Sequence, residues 1–463
     1  MLQKISISVI FRQCTKSSWL FIWLAASVGC IWKTSVFLND FFQYPVVVNL
    51  EVEAFQQLEF PAVTICNLNR VKASYKQCLN LSIPLEVCLF GGDSPVDPLR
   101  NEGPLVMSER RSLFSCSSAP TRKIDNKTDL MIRFLSRYIL MDKARRKRIG
   151  HTAEQLIRKC TFNGRHCSSR DFEDFHSLRY GNCFTFNKGK KFKAISTSTG
   201  PLSGLTLEFD VEFSQYFLQT EIGARISIHN PEDYPEVEEH GINIPPGYET
   251  SIALRQIQIR RLPSPYKDEC VDYSTNFATY GSNQKECMKA CIQAKSYAAC
   301  GCVDPTLPSL PEQKECDMSS DRDMCCLNKA MDSMISNGYP CECPLPCLST
   351  NYQDTTSKLF FPSWDFLLFI YNMRGQYGKK DGMGRFAWDI YRGRSGKVNV
   401  YYSSMDKMIF EQKSVYQDSE LYSYLGGELG FWLGLSFCSL FYLISILSTF
   451  FKSWIRKLRI MEK

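Results

Sequence analysis

The chain has 463 residues, of which 44% are hydrophobic and 22% charged. That balance excludes a disordered or low-complexity chain and leaves room for two or three domains of ordinary size. The formal charge of +7 sits at the ends: Lys4, Arg12 and Lys16 stand without an acid in residues 1–18, and Lys452, Arg456, Lys457, Arg459 and Lys463 face only Glu462 in residues 452–463. Residues 19–451 are therefore neutral, which excludes a basic nucleic-acid-binding domain.

Beside the first basic tail, residues 17–32 carry no charge, and Thr34 to Asn39 extend the run past Lys33. A membrane helix and a secretory signal peptide both fit this stretch, since basic residues precede it and Ala25, Ala26, Ser27 and Gly29 are small. Either way the segment after it is exported. Cysteine placement agrees. Cys14, Cys30 and Cys438 lie in or beside apolar stretches, and the other eighteen all fall between Cys66 and Cys347. Eighteen is even, as a fully paired extracellular domain requires. The acceptor patterns at Asn80 and Asn126 mark candidate glycosylation sites in the same stretch.

Helices are predicted in 127–160, 280–300 and about 363–375. Residues 205–211, 224–228 and 398–402 alternate with period two and read as strands. Pro245-Pro246-Gly247 and Leu262-Pro263-Ser264-Pro265-Tyr266 are turn punctuation between such runs. The fold class is α+β, with no internal repeat. Inside the neutral region, Arg145-Arg146-Lys147-Arg148 resembles a furin-type processing site bounded by Arg145 and Arg148; a solvated helix face is the alternative.

Cysteines crowd into 270–347. Cys287 and Cys291 are one helical turn apart and face the same way. Zinc is excluded there for want of matched C-x2-C pairs, so disulfide staples on a small helical subdomain are the reading. None of the five histidines stands in a metalloprotease pattern, and there is no nucleophile elbow or phosphate loop. An enzyme is excluded, and no metal or cofactor is implied.

The second apolar stretch, residues 429–451, has 23 residues without a charge. Trp454 and the basic tail follow it, an interfacial anchor with positive-inside charge. Gly426, Gly427, Gly430, Gly434, Ser436 and Ser439 put small residues at spacings of three and four, which lets helices approach closely.

Several strings, in chain order, resemble one family, the degenerin, epithelial sodium channel and acid-sensing ion channel superfamily. They are Tyr44-Pro45; Phe60-Pro61-Ala62-Val63-Thr64-Ile65-Cys66-Asn67-Leu68-Asn69; Cys160 to Cys167; Tyr180-Gly181-Asn182-Cys183; Gly223 to Asn230; Cys341-x-Cys343-x3-Cys347; and Gly426 to Ser436. The match covers nearly the whole chain and identifies the first apolar stretch as a membrane helix. The resemblance implies a trimeric, sodium-permeable, amiloride-sensitive cation channel in the cell membrane, homomeric or assembled with related subunits. It implies cytoplasmic tails at 1–18 and 452–463 and spans at 19–40 and 425–451. Between them, 41–424 would form a disulfide-rich extracellular domain of palm, β-ball, knuckle, finger (about 67–160) and thumb (about 270–347).

By family pattern Cys66 pairs with Cys183, Cys160 with Cys167, Cys270 with Cys347, Cys287 with Cys343, Cys291 with Cys341 and Cys302 with Cys316. Cys300 pairs with Cys325 or Cys326, and Cys78, Cys88 and Cys116 have no assigned partner. Gly434, Leu435 and Ser436 match the selectivity filter and Ser423 the gate, while Tyr44 and Tyr266 match the wrist that couples ectodomain to pore. Glu232 and Asp233 stand where acid-sensing members carry a carboxylate pair.

Departures from the pattern matter too. The family's His-Gly motif before the first span is absent; Tyr424 and Tyr442 replace usual carboxylates; and Val46-Val47 replace a histidine. Cation attraction at the pore mouth is then left to Glu428 or to backbone carbonyls, and protons are not expected to be the primary stimulus. A two-span scavenger-type receptor is the alternative from a different class.

Overall fold

A computed structural model describes residues 2–79, 134, 137–139, 141–188, 193–216, 221–276, 281, 283–305, 307, 313–317, 320–336, 341–363 and 391–461. Asn80, Cys88, Cys116, Asn126 and residues 364–375 of the helix predicted at about 363–375 lie outside these residues. Helix α1 runs Leu2–Phe41, followed by strands β1 (Val46–Ala54), β2 (Leu58–Glu59) and β3 (Ala62–Asn67). Two short helices, α2 (Lys143–Ile149) and α3 (Ala153–Leu156), lead into β4 (Ile157–Phe162), β5 (Arg165–Cys167), β6 (Phe172–Ser177), β7 (Gly181–Phe186) and β8 (Ile195–Ser196). Then come β9 (Leu205–Asp210), β10 (Ala224–His229), α4 (Val237–His240), β11 (Ile242–Ile244) and β12 (Tyr248–Arg260). Helices α5 (Gln284–Cys300) and α6 (Asp321–Ser336), strands β13 (Leu348–Phe360) and β14 (Ser395–Ser414), and helices α7 (Asp418–Leu433) and α8 (Phe437–Met461) complete the order. The predicted helix at 127–160 therefore needs correcting at its end. The chain is extended from Ile157, because Ile157, Cys160 and Phe162 turn inward on a strand paired with β9.

Two compact units divide the chain: one of residues 1–49, 261–270 and 411–463, the other of 50–260 and 271–410. In the larger unit a seven-stranded sheet has the order β13-β12-β14-β9-β4-β5, with β1 also paired to β14, and a five-stranded sheet has the order β11-β10-β3-β7-β6. One apolar core joins them. Leu205, Leu207 and Phe209 of β9 and Val398, Val400 and Tyr402 of β14 meet Val63, Ile65, Phe184, Phe186 and Ile226 of the other sheet. The period-two alternation is the cause, since it puts every second side chain on the buried face. Burying each such side chain stabilises the fold by roughly 1.5–3 kcal/mol.

The Phe60–Asn69 string is the hinge of this packing. Phe60 is fully buried, edge-on to Phe162 at 5.0 Å. Cys66 bonds Cys183 across the β3–β7 ladder. Asn67 donates to the Val211 carbonyl at 3.0 Å and accepts from the Tyr216 hydroxyl at 2.7 Å. The Asn69 amide donates to the Gln215 carbonyl at 2.7 Å and faces His151 Nε2 at 3.0 Å, while His151 Nδ1 meets Glu212 at 2.9 Å. The Asn69 amide group thus makes His151 Nε2 the acceptor and leaves the Nδ1 proton for Glu212. That hydrogen bond holds the Glu212 carboxyl below its ordinary range.

Disulfides fix the cysteine-rich subdomain. Asn283 caps α5 by accepting the Glu286 N–H at 2.9 Å, and Gly301 ends the helix at φ +71°. Cys287 and Cys291, on one face of α5, bond Cys343 and Cys341. Cys300 bonds Cys326, Cys302 bonds Cys316, and Cys160 bonds Cys167 across the β4–β5 turn. Cys78, Cys270, Cys325 and Cys347 are disulfide-bonded as well.

Candidate functional site: a break in the second apolar stretch

The uncharged stretch 429–451 is two helices, because α7 stops at Leu433 and α8 starts at Phe437. Gly434 supplies the stop. It sits in the left-handed region at φ +64°, where a side chain is strained. Its N–H returns to the Gly430 carbonyl at 3.0 Å, and the Leu435 N–H reaches the Leu429 carbonyl at 3.3 Å. Ser436 supplies the restart. Its Oγ accepts the Ser439 N–H at 3.3 Å, while the Ser436 N–H donates to Ser439 Oγ at 2.6 Å. Ser439 Oγ in turn donates to the Ser436 carbonyl at 2.8 Å. This is a reciprocal cap with serine in the place usually held by glutamate or glutamine. In the sequence Ser439 reads as a small seam residue, and the Ser-x-x-Ser spacing is the signal of its capping role.

Helix α7 has two unlike faces. With about 3.6 residues per turn, Tyr424, Glu428 and Trp432 share one face, and Ser423, Gly427, Gly430 and Gly434 share another, turned roughly 130° from it. The first face packs on α1. Phe37 stacks on Tyr424 with ring centroids 3.8 Å apart, and an added Cβ at Gly29 would lie 2.9 Å from the Trp432 ring. Trp432 donates its indole N–H to Glu428 at 2.7 Å. The second face is open. A Cβ added at Gly426, Gly427 or Gly434 would meet nothing within 4 Å, and Ser423 is exposed. Glu428 is thus engaged on the α1 side, and the face bearing the helix break presents backbone and small side chains.

At the other end of α1, Tyr44 takes a positive φ of 47° and meets Tyr266 edge-on at 5.7 Å. The turn carrying Tyr266 is tied to Gln412, which accepts the Leu262 N–H at 3.0 Å and donates to Asp268 at 2.6 Å. Asp233 lies beneath Lys188, which donates to its carbonyl, and burial with Glu236 and Glu232 nearby raises its carboxyl above the usual range. Glu236 and Glu239 both hold Lys285 of α5. Arg145 and Arg148 fall within α2, whose N-cap Asp142 accepts the Arg145 N–H at 2.8 Å. The basic run is therefore a closed helical turn, not the extended strand that a protease cleft binds. Beside it, burial lowers the Arg70 guanidinium to about 10.

Trp19–Phe41 of α1 is the one helix among the described residues that is long and apolar enough, by composition, to cross a membrane. A disulfide-bonded α+β body follows it. Residues 4–446 match the amiloride-sensitive sodium channel family, and the chain belongs to it. It is 26% identical to the epithelial sodium channel subunit alpha of Xenopus laevis over 93% of this chain and 77% of that protein. To the gamma subunit of Bos taurus it is 24% identical over 94% and 77%. Degenerin mec-4 of Caenorhabditis briggsae is 30% identical over 63% of this chain, and the aligned region spans 38% of that degenerin. The family is one of ion channels, not enzymes, and nothing in these matches supports a scavenger-type receptor.

Proposed function

We propose that the chain is one subunit of a trimeric, sodium-selective, amiloride-blocked channel. It would have two membrane spans and both termini in the cytoplasm. The carrying observation is the break at Gly434–Ser436. Backbone released from helical bonding inside an apolar stretch is tolerable in a membrane only where it lines a cavity. One chain cannot enclose such a cavity, since its open glycine face needs neighbouring copies of α7. Carbonyls at the break would then replace part of an ion's water shell. Attraction for sodium comes from these carbonyls or from Glu428, whose carboxylate Trp432 holds in place.

Ser423 stands on the same open face, about three helical turns before the filter, where a small side chain permits tight closure. The Tyr44–Tyr266 contact is the coupling element between the first helix and the turn at 261–270. The names of the subunits it matches support assembly with related chains. The test is voltage clamp of cells expressing the chain, alone and with such subunits, combined with crosslinking at the cell surface. An inward current lost on sodium replacement and on amiloride, from a surface trimer, is the result expected. A surface chain that crosslinks only as a monomer contradicts the proposal.

A further inference from the structure

Helices α5 and α6 leave between them a cleft of about 720 Å³ that the channel reading does not use. Its size falls within the range of small-molecule sites, about 300–1,000 Å³. Lys295 comes from α5, and Arg322 and Lys329 from one face of α6, two turns apart. The lining holds these three cations and no carboxylate. None of the three forms an ion pair among the described residues, and Asp323 in the first turn of α6 accepts the Asp317 N–H at 3.0 Å. The apolar part of the lining is Ala299, Ala330 and the buried Met334, beside the Cys300–Cys326 disulfide that pins the two helices.

We propose that this cleft binds a small amphiphilic anion, a carboxylate or sulfate head on a hydrocarbon body. Three cations in a lining that holds no carboxylate favour an anionic head, and guanidinium is suited to a two-oxygen grip on carboxylate or sulfate. An apolar lining that includes a flexible methionine accommodates a chain of variable shape. Hydrated inorganic anions gain nothing from that apolar lining. Cationic amphiphiles are repelled by the three cations. The disulfide keeps both walls in place, so the site exists before its ligand arrives.

The experiment is equilibrium dialysis of the full chain in zwitterionic-lipid nanodiscs, with labelled decyl sulfate as probe and empty discs subtracted. Decanoate, butyl sulfate, inorganic sulfate and decyltrimethylammonium serve as competitors. Saturable binding is expected. Decanoate should displace the probe, and butyl sulfate should do so at least tenfold more weakly. Inorganic sulfate and the cationic amphiphile should fail at the same concentrations. The combined variant Lys295→Glu, Arg322→Glu, Lys329→Glu should lose binding at least tenfold. Met334→Gln, which keeps the charges, should weaken the decyl probe while sparing butyl sulfate. An unchanged thermal midpoint of the variants separates loss of the site from loss of the fold; where it falls, the single variant Lys329→Gln replaces them, with a loss of at least threefold expected. Equal displacement by inorganic sulfate or by decyltrimethylammonium, or unaltered binding in the charge-reversed chain, overturns the proposal.

Discussion

The reciprocal serine cap gives the sharpest test of how the break is built. Ser439→Ala removes the acceptor of the Ser436 N–H, now at 2.6 Å, and the donor to the Ser436 carbonyl at 2.8 Å. Loss of a capping serine costs about 1 kcal/mol, which lowers the ratio of ordered to disordered break by roughly fivefold. Ser436→Ala removes a different partner, the acceptor of the Ser439 N–H at 3.3 Å. Because the two side chains share one network, the double variant should fall short of the sum. Ser439→Thr keeps the hydroxyl and should restore most of the parent behaviour. Single-channel recording under bi-ionic sodium and potassium is the assay. Ser439→Ala should show frequent subconductance visits and a reversal potential shifted toward that of a non-selective pore. The reasoning fails if Ser439→Ala and Ser439→Thr both match the parent, because the cap would then have no bearing on the filter.

At the gate, Ser423→Phe should sustain current by blocking helix closure, an overpacking effect; normal closure in voltage clamp would count against the alignment of the open face. Gly29→Val drives a side chain toward the Trp432 ring, 2.9 Å from where its Cβ would sit. It should cost about 1–3 kcal/mol in α1–α7 packing and cut the surface protein seen by biotin labelling. Since α2 holds Arg145 and Arg148 in a capped helical turn, reducing gels of surface-labelled protein should show full-length chain; two fragments would show that the run unwinds for a protease. Burial lowers His176 and His229 to about 4. The unfolded chain then binds the extra protons as pH falls from about 6.5 to about 4. Stability is full above that window and lost through it, on the order of 3 kcal/mol for His229, so the melting temperature should fall in acid and His229→Asn should flatten the drop. Raising of Asp233 works with the opposite sign and leaves a smaller net slope.

Strands at Leu205–Asp210 and Ala224–His229 were legible because apolar side chains alternate with polar ones along each, Leu205, Leu207 and Phe209 in one and Ala224, Ile226 and Ile228 in the other. The end of the predicted helix at 127–160 was not, since Ile157–Phe162 has no strict alternation and becomes a strand only through its pairing with β9. Periodicity placed Cys287 and Cys291 on one face of α5, but their bonds to Cys343 and Cys341 depend on a fold that no spacing rule contains. At the helix break, Gly434 and Ser436 were marked by their motif alone. Local chemistry explains them: a left-handed stop and a capping restart. Glu428 shows the limit of reading charge by position. Four residues on stands the Trp432 indole, whose hydrogen bond fixes the Glu428 carboxylate on the α1 side while leaving its charge in place. Likewise Tyr424, which the sequence marks only as a departure from an expected carboxylate, is used for stacking on Phe37.

The central claim, that the Gly434–Ser436 break is the selective constriction of a sodium pore, is tested most directly by the reversal potential of Ser436→Leu channels. Sodium and potassium would face each other across the membrane, with the surface trimer verified by crosslinking. A larger apolar side chain at the restart should move the reversal potential away from that of the parent or abolish the amiloride-blocked current while the trimer persists. A conducting Ser436→Leu channel with the parent's reversal potential would place the constriction elsewhere and contradict the account.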